Sequence, residues 1–266
     1  MQLSGFNGTI ALVTGAGGGI GEALVKQLRD SGCIVVATDV TAPIFVDNKV
    51  ADAATSAKAE APPVYAMALD VTDSKAVDAL VAKVEQEIGP IGFGINVAGI
   101  LQVGTVDTID DDSWRRTFAV NADGVFYVSR ALARVMSPRR RGAMVTVGSN
   151  AAGIPRHAMA AYAASKAACA MFMRCLGLEL APLGIRCNSV APGSTLTSMQ
   201  TSMWEDTKGE QRVIQGLPEV YKTGIPLGKL ARPEDIANAV MFLLSDQAGH
   251  IVMDDLYVDG GATLRA

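Results

Sequence analysis

The stretch Thr14-Gly15-Ala16-Gly17-Gly18-Gly19-Ile20-Gly21 is a glycine-rich loop between a predicted strand at residues 9–14 and a predicted helix at residues 20–31. Glycines in such a loop let the backbone turn tightly and approach a pyrophosphate, and the helix N-terminus then offers free N–H groups to the anion. A loop of this kind, taken alone, also fits a simple flexible turn. Its position between a strand and a helix favours a nucleotide-binding loop.

Outward from this loop, short β-branched runs alternate with helical patterns along the chain. The predicted strands lie at residues 9–14, 34–38, 64–69, 93–97, 143–147, 185–191 and 251–258. The predicted helices lie at residues 20–31, within 46–60, at 73–88, within 111–136, at about 157–181 and from Pro233 onward. Strands that alternate with helices predict a parallel sheet covered on both faces, so we expect a doubly wound α/β fold of the Rossmann type with seven strands.

The domain organisation follows from the same pattern. We predict a single domain over residues 1–266, because the strands of the second half complete the sheet begun by the first. Residues 194–229 interrupt the alternation, since they contain several glycines and no strong strand. A long loop in a compact domain is usually functional, and we expect this one to be a substrate lid.

Composition excludes several classes of protein. Of the 266 residues, 49% are hydrophobic, which is too many for a disordered chain. The formal net charge of −4 argues against a nucleic-acid partner. The longest basic block is Arg139-Arg140-Arg141, which fits a solvated loop. The first basic residue is Lys26 and no apolar run approaches the length of a membrane helix, so we expect neither a targeting segment nor a membrane span.

The cysteines point to a reducing compartment. Four cysteines are scattered along the chain without a CxxC motif, and the chain has only two histidines. This pattern predicts neither a disulfide framework nor a metal site. We expect reduced thiols in a cytoplasmic enzyme.

The predicted second strand, residues 34–38, is followed by Asp39. An acidic side chain here can accept hydrogen bonds from the adenosine ribose hydroxyls and would repel a 2′-phosphate. The glycine-rich loop contains no Lys or Arg that could attract such a phosphate. We therefore predict NAD rather than NADP; the alternative is that Asp39 is only an acidic residue in a turn.

Tyr162 and Lys166 are four residues apart, so they share one face of the predicted helix. A tyrosine hydroxyl ordinarily titrates near pH 10, at about three units above neutrality, and an adjacent ammonium favours the phenolate that a general base requires. A Tyr-x-x-x-Lys pair alone also fits an ordinary amphipathic helix. Here it follows a predicted strand that leads to Ser149, and residues at the carboxyl ends of parallel strands face the ligand crevice.

The chain resembles the short-chain dehydrogenase/reductase family over essentially its whole length. The loop at residues 14–21 matches the family's TGxxxGxG motif, and Asn96-Val97-Ala98-Gly99 matches its NNAG motif except at Val97, where the family usually has Asn. Asp70-Val71-Thr72 is similar to the segment that contacts adenine, and Pro192-Gly193 to the segment on the nicotinamide side. The resemblance implies these cofactor-binding residues: Gly15, Gly19, Ile20, Gly21, Asp39, Asp70, Val71, Asn96, Ala98, Gly99, Tyr162, Lys166, Pro192, Gly193 and Thr195.

The family's catalytic tetrad has its counterpart in Asn121, Ser149, Tyr162 and Lys166. The resemblance implies that Tyr162 is the general base when an alcohol is oxidised and the acid in the reverse direction. It implies that Ser149 polarises the substrate oxygen, and that Lys166 favours the phenolate and holds the nicotinamide ribose. Asn121 is expected to support a water chain that carries the proton away.

Further stretches are similar to one branch of the family, whose members oxidise a cyclohexadiene diol carboxylate with NAD to 2,3-dihydroxybenzoate in siderophore biosynthesis. These stretches are residues 98–101, 117–121, 192–195, 199–200, 224–229 and 258–264. Several of them lie outside the generic family motifs. The resemblance implies oxidation of one ring carbinol, followed by tautomerisation that makes the ring aromatic.

Two alternatives to this activity stay open. One is another enzyme of the family, acting on a keto ester, a sugar, a steroid or a dihydro-hydroxyanthranilate. The other is an NAD(H)-binding sensor or scaffold without catalysis, and the complete tetrad argues against it because such a protein has no chemical need for all four residues.

Arg156 is the only Arg or Lys between Ser149 and Tyr162. A guanidinium binds a carboxylate through two parallel hydrogen bonds, so we predict that Arg156 binds the substrate carboxylate. The alternative is an arginine at the surface or at the helix start. The other predicted substrate-binding residues are Leu101 and Gln102 on one wall and Met199 and Gln200 on the lid.

The catalytic helix also carries a prediction about assembly. From Ala158 to Met173 its only formally charged side chain is Lys166. A helix that covers one sheet face normally has a polar outer stripe, which this helix lacks. We predict packing against a partner subunit in a homotetramer of D₂ symmetry, with cover by the chain's own helices as the alternative.

Overall fold

A computed structural model of the chain describes residues 2–45 and 62–264. The strands among these residues are β1 Ile10–Thr14, β2 Ile34–Asp39, β3 Val64–Ala68, β4 Ile91–Asn96, β5 Gly142–Val147, β6 Ile185–Pro192, β7 Gly216–Leu217, β8 Lys222–Thr223 and β9 Asp255–Val258. Seven of them form one sheet in the order β3-β2-β1-β4-β5-β6-β9, in which every pairing is parallel. The predicted fold class is confirmed.

Most of the predicted helices agree with the structure within a few residues, and two short helices within residues 194–229 are additional. The helices are α1 Gly19–Asp30, α2 Ser74–Glu87, α3 Asp111–Phe118, α4 Gly124–Met136, α5 Ala160–Leu180, α6 Ser198–Thr201, α7 Gly209–Gln215 and α8 Pro233–Leu244. The helix predicted within residues 46–60 lies outside the described residues. Within the described ranges, no helix is both long and apolar enough to cross a bilayer.

The hydrophobic core has two halves, one on each face of the sheet. Because side chains alternate along a strand, Val13 of β1 packs toward α1 and α8, where it meets Leu24 and Val240. Leu12 packs toward the opposite face, where α2, α4 and α5 supply the second half of the core. Strands buried on both faces must be apolar throughout, which is why β1 reads as an unbroken apolar run ending in Thr14.

The helix predicted within residues 111–136 is interrupted in the structure. Residues 111–136 are not one α-helix, because a π-helical turn at Ala119–Asp123 separates α3 from α4. This turn contains Asn121, which is fully buried. A π-turn widens the helix by one residue and is frequent at functional sites.

Residues 194–229 contain more regular structure than the sequence predicts. They form α6, α7 and a two-stranded antiparallel pair in which Leu217 pairs with Lys222. A small apolar cluster holds the segment together, formed by Val213, Ile225 and Leu230 with Ala262 from the C-terminal end. Its function as a lid stays a prediction.

The sheet topology fixes where a ligand can bind. The strand order reverses between β1 and β4, and Thr14, Asn96 and Thr146 lie side by side at the carboxyl ends of neighbouring strands. In open α/β sheets a ligand binds at this reversal point, beyond the carboxyl ends of the strands.

Candidate active site

A cavity of about 540 Å³ opens at this reversal point. Nine of the predicted cofactor-binding residues line it: Gly15, Gly19, Ile20, Gly21, Asp39, Asp70, Val71, Ala98 and Gly99. They come from the glycine-rich loop and from the segments that follow β2, β3 and β4. Residues far apart in the sequence therefore meet in one groove.

The groove is formed by bare backbone, as a pyrophosphate requires. Gly15 has a φ of +66°, and a Cβ there would lie 2.5 Å from the backbone nitrogen of Ala98. A Cβ on Gly21 would lie 2.1 Å from the carbonyl oxygen of Gly15. The N-terminus of α1 faces the groove. Its N-cap residue is Gly18, so no side chain caps the first N–H groups of the helix. These residues fit the diphosphate of a nicotinamide dinucleotide.

Asp39 lies at the end of β2 beside the same cavity. Its Oδ2 accepts a hydrogen bond from the backbone N–H of Gly17 at 3.0 Å, and its Oδ1 accepts one from that of Val40 at 2.8 Å. These bonds hold the carboxylate against the glycine-rich loop. The ribose that it is predicted to bind would therefore lie next to the pyrophosphate site.

Asn96 supports the groove from beneath. It is 2% exposed, and its Nδ2 donates to the hydroxyls of Ser129 and Thr146, at 3.1 Å each. It is not among the residues that line either of the two cavities. Its contacts link β4 to α4 and β5, so in this structure it fixes the loop that carries Ala98 and Gly99.

A second cavity, of about 530 Å³, lies next to the first and shares lining residues such as Ile20 and Gly99 with it. It brings together most of the residues predicted for chemistry and for the nicotinamide side. They are Ser149, Tyr162, Lys166, Pro192, Gly193 and Thr195. A dinucleotide in the first cavity can therefore extend into the second.

Ser149 stands where β5 ends. Its Oγ accepts a hydrogen bond from the backbone N–H of Ala151 at 3.1 Å, which caps a short turn at Asn150–Ala152. A hydroxyl oxygen that accepts a bond from the backbone still has its own proton to donate. Ser149 can thus donate to a substrate oxygen in the second cavity.

Lys166 is buried beside Tyr162. Its side chain is 4% exposed, and its Nζ donates a hydrogen bond to the carbonyl oxygen of Val147 at 2.9 Å. The same Nζ lies 5.8 Å from the centroid of the Tyr162 ring. A buried ammonium with one protein partner has two N–H groups left for a ribose or a water.

The π-turn fixes the side chain of Asn121. Its Oδ1 accepts from the N–H of Ile100, while its Nδ2 donates to the carbonyl of Ile100 and to Ser165 Oγ. Ser165 in turn donates to the carbonyl of Tyr162. The contacts tie the Gly99 loop to α5. Its support of a water chain stays a prediction.

The substrate-binding predictions divide into two groups. Arg156, Leu101, Met199 and Gln200 line the second cavity, whereas Gln102 does not. Burial lowers the pKa of the Arg156 guanidinium, an effect that Asp259 partly offsets, and an arginine remains cationic at neutral pH. No carboxylate of the described residues lies within ion-pair distance of Arg156. A cation that forms no ion pair with the described residues thus lies in the same cavity as Tyr162.

A family model described as enoyl-(acyl carrier protein) reductase matches residues 15–263. The chain belongs to the short-chain dehydrogenase/reductase family. It is 52% identical to the 2,3-dihydro-2,3-dihydroxybenzoate dehydrogenase of Bacillus subtilis, over 99% of each chain. It is 41% identical to the enzyme of that name from Escherichia coli, over 98% of this chain and 99% of the relative. Among solved structures, a Burkholderia cenocepacia gluconate 5-dehydrogenase in complex with NADP and tartrate superposes with a TM-score of 0.85 at 28% identity, covering 98% of this chain and 97% of the other.

Within the short-chain dehydrogenase/reductase family this chain departs from the usual motif at Val97. Its backbone N–H still donates to the hydroxyl of Thr14, at 3.3 Å, and the N–H of Ala98 donates to the same oxygen at 3.4 Å. The bonds between β1 and the end of β4 therefore persist, while an apolar side chain at 97 lines both cavities.

Several lining residues escaped prediction because no local pattern marks them. Thr197 lines both cavities, and Asn150, Tyr221 and Lys222 line the second. His157 is exposed and also lines the second cavity. Lys222 lies two residues before the 224–229 stretch, whose resemblance to one branch of the family was the available signal.

Proposed function

We propose that this enzyme oxidises 2,3-dihydro-2,3-dihydroxybenzoate to 2,3-dihydroxybenzoate with NAD, as a step of siderophore biosynthesis. One observation carries the proposal: the free guanidinium of Arg156 lies in the same cavity as Ser149, Tyr162 and Lys166. That cavity can hold a ring with a carboxylate on one side and a carbinol on the other. The relatives at 52% and 41% identity bear the name of this activity.

The proposed chemistry begins at the hydroxyl of one ring carbinol. Ser149 donates a hydrogen bond to the substrate oxygen, and Tyr162 accepts the hydroxyl proton. Lys166, held by the carbonyl of Val147, stabilises the negative charge that favours this proton transfer. A bound NAD would supply the acceptor for the hydride that leaves the carbinol carbon. The resulting ketone tautomerises, and aromatisation makes the overall oxidation favourable.

We propose NAD as the cofactor of this reaction. The support is Asp39, whose carboxylate is fixed beside the glycine-rich loop by the N–H groups of Gly17 and Val40. A 2′-phosphate at that point would meet a fixed negative charge, and repulsion between like charges in a half-buried groove costs binding energy.

Arg156 is proposed to bind the substrate carboxylate. Its side chain is half-buried, so the charge is poorly solvated and gains from a bidentate anion. Asp259 lies near enough to stabilise the cation but is itself held by hydrogen bonds from Asn150 and Thr263. The guanidinium is therefore available to a ligand.

One experiment tests the proposed function directly. The purified enzyme is given NAD and either the dihydrodiol carboxylate or a neutral cyclic dihydrodiol, and the appearance of NADH is followed by absorbance. We expect turnover with the carboxylate and a kcat/KM at least about tenfold lower with the neutral compound, the loss of one charged contact. Preference for the neutral compound, or for a dihydro-hydroxyanthranilate, would assign the enzyme to another activity.

We also propose a homotetramer of D₂ symmetry. The support is the outer surface of α4 and α5, where Phe126, Met171 and Leu178 are 39%, 55% and 66% exposed. Large exposed apolar surfaces mark interaction sites in soluble proteins. The proposed compartment is the cytoplasm, where the thiols of Cys33 and Cys187, whose pKa burial raises to about 12, would remain protonated and unreactive.

A further inference from the structure

A second cation shares the cavity of the proposed carboxylate site. Lys222 lines the cavity together with Arg156, Ser149 and Tyr162, but it comes from β8, within the predicted lid. Its side chain is half-buried. Across the described ranges 2–45 and 62–264, its ammonium has neither a hydrogen bond nor an ion pair with another side chain. Lysine is seldom buried without such a partner.

Hydrogen bonds fix the backbone around Lys222, and this backbone directs the Lys222 side chain to the cavity. Lys222 pairs with Leu217 of β7, and the chain enters β8 through a left-handed Tyr221 with a φ of +54°. The hydroxyl of the next residue, Thr223, donates to the carbonyl of Ala262 at 2.9 Å. The hairpin is therefore anchored to the C-terminal segment.

The electrostatics of the cavity call for an anion. Burial lowers the pKa of Lys222, and the nearby charge of Arg156 lowers it further. One carboxylate residue, Glu205, lines the cavity; it is exposed and, among the described residues, forms no ion pair with Lys222 or Arg156. Asp259, whose charge acts on Arg156, does not line the cavity and accepts hydrogen bonds from Asn150, Gly261 and Thr263. Two like charges in one cavity wall repel each other until an anion binds between them.

We propose that Lys222 is a second substrate-binding cation, carried by the lid, which binds the substrate carboxylate jointly with Arg156. This inference rests on the proposed function and deepens it. A carboxylate has two oxygens with several acceptor positions, so it can serve a guanidinium and an ammonium together. One cation belongs to the loop before α5 and the other to β8, so the anion itself links the lid to the body of the enzyme. A neutral cyclic alcohol would make no such link.

The test compares Lys222→Met with Lys208→Met, which removes an exposed lid lysine outside the cavity. Methionine keeps the apolar stem and removes the charge. We expect Lys222→Met to raise KM for the dihydrodiol carboxylate by more than about tenfold, the loss of one charge-assisted contact. Its kcat/KM for a neutral dihydrodiol should stay within about twofold of wild type, as should both constants of Lys208→Met. Lys222→Arg should recover at least part of the lost affinity, which a misfolded lid would not.

A binding measurement separates this inference from the proposed function. Calorimetry gives the affinity of the enzyme–NADH complex for 2,3-dihydroxybenzoate and for benzoate, in wild type and in Lys222→Met. If wild type oxidises the dihydrodiol carboxylate and Lys222→Met matches it in KM and affinity, the function stands and the role of Lys222 is overturned. If wild type does not oxidise that substrate, the function is overturned, and weaker carboxylate binding by Lys222→Met still supports the cation site. Equal losses with charged and neutral substrates overturn the inference.

Discussion

Tyr162 and Lys166 lie one turn apart on α5, and the one hydrogen bond that the buried ammonium makes within the described residues goes to the Val147 carbonyl. Removing the tyrosine hydroxyl removes the proposed proton acceptor and leaves the ring in place. Tyr162→Phe should therefore lower kcat by about 10²–10⁴-fold, the usual contribution of a general base. NADH should still bind, as followed by fluorescence, because Lys166 and the glycine-rich loop remain in place, and Tyr65→Phe on β3 serves as the control. A variant that keeps its turnover would favour the sensor alternative.

The charge of Arg156 is expected to matter for one part of the substrate only, the carboxylate. Arg156→Met should raise KM, or lower kcat/KM, for the dihydrodiol carboxylate by more than about tenfold. Arg141→Met, which removes an exposed arginine remote from the cavity, is the matched control. Steady-state kinetics at saturating NAD decide the matter; an unaffected Arg156→Met enzyme would rule out the carboxylate contact.

Asp39 is proposed to determine the choice between NAD and NADP through the charge of its carboxylate. Asp39→Asn removes the charge but keeps an oxygen that can still accept from Gly17 or Val40. We expect the ratio of NAD to NADP affinity to fall by at least about tenfold, since the repulsion of a 2′-phosphate is lost. Glu22→Gln, which neutralises an exposed carboxylate on α1 outside the cavity, should leave the ratio unchanged. A wild-type enzyme that prefers NADP would refute the assignment.

Among the elements, the glycine-rich loop was predictable because its requirements are local. Gly15 needs a positive φ, and both Gly15 and Gly21 leave no room for a Cβ, so the sequence itself marks the turn. The π-turn at Ala119–Asp123 was not predictable, because one inserted residue leaves the helical pattern almost intact. The position of Lys222 was not predictable either, since its proximity to Arg156 in the cavity depends on how the β7–β8 hairpin folds.

The loop itself supplies a test at the scale of one element. A Cβ on Gly21 would meet the Gly15 carbonyl oxygen at 2.1 Å, whereas a Cβ on Gly18 would find only that oxygen, at 3.7 Å. Gly21→Ala should lower the free energy of unfolding by about 2 kcal/mol or more, because backbone must move to relieve the clash. Gly18→Ala should change it by less than about 1 kcal/mol. Urea unfolding of both variants without cofactor makes the comparison, and similar losses would show that the loop is not packed as described.

Across the whole molecule, the alternation of strands and helices predicted the sheet because its central strands, such as β1 and β5, are largely apolar on both faces. The same reasoning accounts for where apolar residues remain exposed. The one formal charge between Ala158 and Met173 belongs to Lys166, which is buried in the active site, so the outer face of this part of α5 carries none. Beside this face, the guanidinium carbon of Arg130 of α4 lies 4.9 Å from the centroid of the Phe126 ring. The buried Nε of Arg130 has no hydrogen-bond partner among the described residues.

This uncharged face should bury itself against a second copy of the chain. We expect wild type to sediment as a tetramer of the 27.7 kDa chain, because D₂ symmetry lets each subunit bury such surfaces across two-fold axes. Met171→Glu adds a charge to the face and should shift the mass to dimers or monomers, since an unpaired charge buried at an interface costs several kcal/mol. Val106→Glu changes a residue that is 77% exposed away from the face and should leave the mass unaltered. A monomeric wild type in analytical ultracentrifugation would mean that the chain tolerates this apolar face in water, and the tetramer would be refuted.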